Sequence, residues 1–198
     1  EFYTERYNNH MDYRQQLIRT GCQLFAKRGY DAVAVQDIVS TVGITKPTLY
    51  HYFGSKQGLL EAILATYLQP FTSALEGQCQ YQNDLVLSLE KICRYYFEFV
   101  RLEPGFFRLW MSIRLAPPQS TAYLALATYM FRQQEMIKAM FVQAGRQHGN
   151  LRDRHEMLML SFTGMIYMYA TQAIQTGTNL ENNLVYQLVH QFMHGILS

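Results

Sequence analysis

The feature that most constrains this 198-residue chain is the stretch Gly43-Ile44-Thr45-Lys46-Pro47-Thr48-Leu49-Tyr50-His51-Tyr52-Phe53-Gly54-Ser55-Lys56. Thr45 carries a hydroxyl suited to a helix N-cap. Pro47 is tolerated in a first helical turn because its missing N–H has no intrahelical partner there, and Leu49 and Phe53 repeat at four residues. The spacing predicts a helix of two or three turns with one apolar side. Its N-terminal end and other side carry Lys46, Thr48, Tyr50 and His51. A cation, two hydroxyls and an imidazole on so short a helix suit phosphates and base edges in a major groove. The stretch therefore reads as the turn and recognition helix of a helix-turn-helix.

The flanking residues extend that reading. Residues 13–28 place Leu17, Cys22, Leu24 and Phe25 at helical spacing, with Lys27 and Arg28 in the last turn and Gly29 just beyond. Cations near the C-terminal carbonyls and a glycine that can turn left-handed form a helix stop signal. Val35, Ile38, Val39 and Val42 then make a second, short helix closed by Gly43. Two short helices joined by about three residues including glycine are the helix-turn-helix layout. Ser55 is expected to cap a long helix running through Leu59, Leu60, Ile63, Leu64, Tyr67 and Leu68. Lys56 falls on the first turn of that helix, where the positive end of the helix dipole disfavours a cation. A DNA phosphate nearby is one reason to keep it there; a merely solvated lysine is the other reading.

Beyond residue 83 the helical period continues in pieces, over 85–100, 106–115, 123–144, 157–175 and 180–197. Pro104-Gly105, Pro117-Pro118, the 145–150 stretch and the 177–179 stretch punctuate it. No run alternates convincingly enough to be a strand. The expected fold is all-α, with about nine or ten helices and no internal repeat. The first ten residues show no helical period. The His10-Met11 step reads equally as a junction ahead of a native start, and these residues stay outside the fold reading. Residues 157–180 lack charge over a length that would cross a bilayer, but Ser161, Thr163, Thr171, Gln172, Gln175, Thr176 and Asn179 interrupt them and no basic flank anchors an end. A helix buried inside protein is the preferred reading, with no membrane partner.

Composition sharpens the partner. The net charge of +2 announces no nucleic-acid binder, yet residues 11–58 hold six cations against three carboxylates, a local +3, while residues 59–198 hold ten of each. The basic excess sits with the helix-turn-helix. Ten Met, fifteen Tyr and twelve Phe exceed what a small DNA-binding module needs, so some line an interface or a cavity. Cys22, Cys79 and Cys93 are odd in number and share no close spacing, which points to buried thiols in a reducing cytosol.

The runs Leu24-Phe25-Ala26-Lys27-Arg28-Gly29-Tyr30, Val35-Gln36-Asp37-Ile38-Val39 and Val42 through Leu60 closely resemble the DNA-binding domain of TetR-family transcriptional regulators. The resemblance is gapless over about fifty residues. It implies a DNA-binding domain over 11–58 and a helical ligand-binding and dimerisation domain over 59–198. It also implies DNA contacts by Thr45, Lys46 and Thr48 at the start of the recognition helix, by Tyr50 and His51 along it, and by Lys56 on a phosphate. Family members commonly place a threonine where this chain has Ala34, to cap the second helix and touch phosphate; alanine does neither. Gln36 replaces a frequently charged residue and is a further candidate contact. Leu24, Phe25, Ile38, Val39, Ile44, Leu49 and Phe53 are expected in the small core.

In the C-terminal region Leu180, Leu184, Leu188, Phe192 and Ile196 recur every four residues. Val185, Val189, Met193 and Leu197 form a second row beside them. Two rows make a stripe broad enough for its own domain and a partner. Ser161 and Gly164 on the preceding helix allow close approach. These two helices resemble the family's four-helix dimer interface, so Ser161, Gly164, Leu184, Leu188, Phe192 and Ile196 are the expected interface of a homodimer. The family keeps its effector among the central helices, where Phe99, Phe107, Trp110, Met111, Tyr123, Met130, Met165 and Met168 supply aromatic and thioether groups for an apolar or aromatic small molecule. An aromatic helix stripe is nevertheless more often core than pocket.

Other chemistry is thin. His190 and His194 are four apart on one helix side and offer two metal coordinates, but no nearby Cys or carboxylate completes a site, and a solvated or interface pair is the preferred reading. No Glu-x-x-His pair, Gly-rich phosphate loop or nucleophile elbow appears, so no catalytic residue, cofactor or metal is assigned. The expected function is a ligand-responsive transcriptional repressor that binds a near-palindromic operator as a homodimer. An activator or partner-protein-controlled regulator is the alternative, and a helical enzyme or carrier the remote one.

Overall fold

The computed structural model describes residues 2–197, with side chains described for residues 13–194. Among these residues there are nine α-helices and no strand: α1 Phe2–Arg28, α2 Val35–Val42, α3 Lys46–Phe53, α4 Lys56–Gln78, α5 Leu85–Leu102, α6 Pro104–Arg114, α7 Thr121–Ala144, α8 His155–Thr176 and α9 Asn182–Leu197. A single 3-10 turn, Gly149–Leu151, separates α7 from α8. The helices match most of the expected runs, but α4 continues past Leu68 to Gln78 and α6 takes in Pro104 and Gly105. α1 extends back to Phe2, through residues that carry no apolar period of their own.

The chain forms two compact units, one of residues 1–69 with 105–128, the other of 70–104 with 129–198. The junction in α4 falls at Pro70, whose ring removes one i→i−4 hydrogen bond from the helix.

In the first unit, Leu17, Phe25, Ile38, Leu49, Leu59, Leu60, Ile63 and Leu64 are fully buried, with Ile18, Cys22, Val33 and Val39 nearly so. Phe25, Ile38, Val39 and Leu49 thus take the core places expected of them, while Leu24, Ile44 and Phe53 are only half-buried. α1 and α4 approach closely at Gly21, where a Cβ would stand 3.0 Å from Leu59 Cδ2 and 3.1 Å from Ile63 Cδ1. A side chain there would require the ends of Leu59 and Ile63 to give by a few tenths of an ångström.

In the second unit α5 packs against both α8 and α9. Asp84 starts α5 with a side-chain cap, Oδ1 accepting from the Leu87 N–H at 2.9 Å. The core is aromatic: Phe71 stacks on Tyr95 at 4.9 Å and meets Tyr96 edge-on at 5.0 Å, and Phe162 lies 5.2 Å from Phe192. One polar pair sits inside, Gln133 Nε2 donating to Thr72 Oγ1 at 3.2 Å, with Gln133 only 1% and Thr72 2% exposed. All three cysteines are buried thiols. Burial pushes Cys79 and Cys93 up to about 12; Glu76 adds to this at Cys79, and at Cys93 burial outweighs the opposing pull of Arg94.

α8 is long and apolar enough to cross a membrane, but 44% of its most apolar window is buried within the structure. Phe162, Ile166 and Ala170 are fully covered, and the buried Thr163 hydroxyl donates to the Met159 carbonyl at 2.8 Å. The opposite side carries exposed Met157, Leu160, Ser161, Gly164 and Met168.

Candidate nucleic-acid interface

The interface candidate is built by α2, the Gly43-Ile44-Thr45 turn and α3. α2 starts at Ala34, whose backbone N–H donates to the Asp37 carboxylate at 3.1 Å; with a methyl in place of a hydroxyl, only this half of a capping box forms. Arg28 stands 3.6 Å from the same carboxylate, tying the end of α1 to the start of α2. The helix ends on Gly43 in the left-handed region (φ 79°, ψ 31°), its N–H returning to the Val39 carbonyl at 2.9 Å. An L side chain is strained there, so glycine sets the turn.

Thr45 occupies the N-cap position of α3 with extended backbone, as the sequence predicts, but its hydroxyl caps nothing. Pro47 has no N–H to offer, and the Thr48 N–H is taken by the Thr45 backbone carbonyl at 3.1 Å. The Thr45 and Thr48 hydroxyls instead pair with each other at 3.0 Å. They present one linked pair of oxygens at the helix start, beside the exposed Lys46. Tyr50 is 44% exposed and His51 is exposed next to it. Tyr52 is half-buried, edge-on to His51 at 5.6 Å. Inward, Leu49 is fully buried and the Phe53 ring lies under the Arg14 guanidinium at 5.6 Å. On α2, Gln36 is exposed and its Nε2 donates to Ser40 Oγ at 2.9 Å.

α4 starts one step later. Ser55 caps it as expected, Oγ accepting from the Gly58 N–H at 2.9 Å. Gly58 is required for a reason that spacing does not reveal: a Cβ there would stand 2.0 Å from the Phe53 carbonyl oxygen. Lys56 is the larger surprise. Its Nζ donates to the backbone carbonyls of Tyr30 (2.8 Å), Asp31 (3.3 Å) and Val33 (2.8 Å), and lies 4.4 Å from the Tyr30 ring centroid. The reason for a cation at this helix start is thus supplied inside the protein: three carbonyl dipoles and an aromatic face outweigh the unfavourable helix end. Lys56 clamps the loop between α1 and α2, and the position of α2 with it. Burial, and after it Asp31 and Glu61, raises the Tyr30 hydroxyl above the usual tyrosine range, so the ring under Lys56 stays neutral.

The remaining candidates fall into different settings. In the first unit Phe107 and Trp110 are buried and meet edge-on at 5.7 Å, while Met111 and Tyr123 are half-buried. In the second, Phe99 joins the Phe71 cluster at 4.6 Å, Met130 is buried, Met165 is half-buried and Met168 is 69% exposed. A recess of about 620 Å³ between α5 and the start of α9 is lined by Arg94, Phe97, Glu98, Arg101 and the 179–183 stretch, and by none of the eight expected effector contacts. Its signal in the sequence was two arginines seven apart on one helix and an asparagine-rich loop. Of the expected interface, Ser161 and Gly164 are exposed and Leu184 is half-buried, whereas Leu188 and Phe192 are buried in their own unit. The second row turns inward as well, with Val185 and Val189 each 1% exposed, because α5 packs against α9. The Ile196 and Leu197 side chains lie outside the described residues.

A short exposed helix with hydroxyls and a cation at its start, set on a second helix by a glycine turn, is a helix-turn-helix of the kind that reads DNA. Residues 17–63 match the family model described as bacterial regulatory proteins, tetR family. The chain is 24% identical over 186 residues to the HTH-type transcriptional activator FasR of Mycolicibacterium smegmatis, covering 93% of this chain and 83% of that one. It is also 24% identical over 107 residues to the biofilm operon icaADBC negative transcriptional regulator IcaR of Staphylococcus aureus, 54% of this chain and 56% of that one. The fold is that of the fatty acid degradation regulator FadR from Bacillus halodurans, with a TM-score of 0.70 at 16% identity over 93% of this chain and 97% of that one.

Proposed function

We propose that the chain is a ligand-responsive repressor that binds a near-palindromic operator as a homodimer and is released by a mostly apolar small molecule. The observation that carries this reading is α3 itself, where Thr45, Lys46, Tyr50 and His51 are exposed and the half-buried Thr48 hydroxyl pairs with Thr45. Residues 11–58 read DNA: the threonine pair and Lys46 engage phosphate and base edges, Tyr50 and His51 continue the contact, and Gln36 reaches from α2. Lys56 adds charge to this region while its donors hold the loop. Residues 59–198 carry the effector and the partner copy.

The dimer is formed through the exposed stripe of α8, where Met157, Leu160, Ser161, Gly164 and Met168 fall on one face and a Cβ at Gly164 would meet nothing within 4 Å. A second copy, not lipid, covers it. A two-fold dimer presents two copies of α3 to successive major grooves, so the half-sites lie about 34–36 Å apart or a multiple of that. The aromatic interior of the second unit, with Gln133 and Thr72 as its polar handle, suits an apolar effector bearing one polar group, in keeping with a structural neighbour that regulates fatty acid degradation. An effector that favours a dimer whose two recognition helices no longer match the groove spacing would lift repression. Activation is the second reading, supported by FasR being named an activator. The same DNA-binding geometry serves either, according to where the operator lies.

Fluorescence anisotropy on DNA from beside the protein's own gene tests the reading. Wild type is expected to bind with a sequence preference at moderate salt, and Lys46→Ala with Tyr50→Ala to lose that binding, at unchanged helical content and dimer mass. Binding indifferent to sequence would sink the proposal.

A further inference from the structure

His190 and His194 stand one turn apart on the exposed face of α9. Their Nε2 atoms are 2.9 Å apart and their ring centroids 4.1 Å. The two rings meet as a hydrogen bond, one Nε2–H directed at the other ring's Nε2, with the donor set by the tautomer, and the ring planes cross at 63°. For metal–nitrogen bonds of about 2.0–2.1 Å, two ligands at a right angle stand about 2.9 Å apart and two at the tetrahedral angle about 3.3 Å. The observed separation is that of a right-angled pair.

We propose that His190 and His194 chelate one divalent transition-metal ion per chain through both Nε2 atoms, with Cu2+ or Ni2+ preferred and water completing the coordination. Tetragonal and square-planar geometries suit these ions, and imidazole nitrogen is a favoured ligand for both. The site is partly organised before metal arrives. The Tyr186 ring stacks on His190 at 5.7 Å with 30° between planes, which restrains that imidazole. Glu90 belongs to the same small recess as His190, Val189 and Met193, with its carboxylate paired to Arg94 at 3.6 Å. No third His, Cys, Asp or Glu joins the pair among the described residues, so the chain supplies two donors and the site is an open chelate. Sequence spacing leaves a solvated or interface pair as the preferred reading because it does not determine the rotamers. The structure brings the two Nε2 atoms to 2.9 Å. The inference is independent of how the protein meets DNA.

Isothermal titration calorimetry of NiCl2 and CuCl2 into the full-length chain tests it, with MgCl2 and ZnCl2 as comparisons and electron paramagnetic resonance on the copper-loaded protein. One saturable ion per chain is expected, bound more tightly as Cu2+ than as Zn2+ and not at all as Mg2+, with hyperfine coupling to two imidazole nitrogens. His190→Gln and His194→Gln should each weaken binding about tenfold or more and reduce the coupling to one nitrogen, whereas His148→Gln should change neither. Both rings are exposed, so the variants keep wild-type helical content by circular dichroism. Absence of saturable binding, tighter Zn2+ than Cu2+ binding, or affinity untouched by either substitution would overturn the proposal.

Discussion

The outward face of α3 and the outward face of α8 are both what remained after each helix filled its core, and they differ in every chemical respect. α3 buries Leu49 and turns out Thr45, Lys46, Tyr50 and His51; α8 buries Phe162, Ile166 and Ala170 and turns out Met157, Leu160, Gly164 and Met168. Hydroxyls, an ammonium and an imidazole remain comfortable in water and gain from phosphate. Thioether and leucine side chains are the ones water disfavours, and burying them against a second copy removes that cost. A polar leftover face on a two-turn helix therefore points to a ligand that carries its own charge. An apolar leftover face on a six-turn helix points to another protein surface.

Three variants probe the contrast. The largest effect is expected from Leu160→Glu with Met168→Glu, which places four uncompensated carboxylates in a dimer. Analytical ultracentrifugation should show the dimer dissociation constant rising on the order of 1000-fold, with helical content kept because both positions are exposed in the single chain. A variant that stays dimeric would move the interface away from α8. Next comes Gly58→Ala. A Cβ 2.0 Å from a backbone carbonyl has no flexible neighbour to yield, so α3 and α4 must separate. Chemical denaturation should show a loss of about 3 kcal/mol, and DNA affinity should fall while α8-mediated dimerisation persists.

The smallest effect is that of Lys56→Met, which keeps the stem and removes the ammonium. Leaving the Tyr30, Asp31 and Val33 carbonyls without their donor should cost about 1–3 kcal/mol of stability. Its DNA binding separates two roles for the residue. If Lys56 acts only by holding the α1–α2 loop, affinity falls with the salt dependence unchanged; a direct phosphate contact would also lower the slope of affinity against salt by about one.

Much of the first unit was legible from its residues. The ends of α2 and α3, the Ser55 cap, the glycine turn and the burial of Phe25, Ile38, Val39 and Leu49 all follow from signals contained within four or five positions. The second unit was legible as helices and stops but not as surfaces. The rows through Leu184 and Val185 look equivalent on a helical wheel, yet Leu184 is half-buried while Val185, Leu188, Val189 and Phe192 are buried where α5 packs against α9. That left Tyr186, His190 and His194 as the outward face of α9.

By itself the sequence determined an all-α chain of about nine or ten helices, where most of them begin and end, and that Lys46, Thr48, Tyr50 and His51 share one short helix. Backbone period, caps and glycine stops act over one turn, so a linear reading recovers them. Tertiary structure alone decided that Lys56 spends its donors on carbonyls 23 to 26 residues away, that position 58 admits no Cβ, and which side of α9 meets water. Those outcomes depend on which backbone passes within 3 Å of a given side chain, and that is settled by how helices pack, not by the residues beside it in the chain.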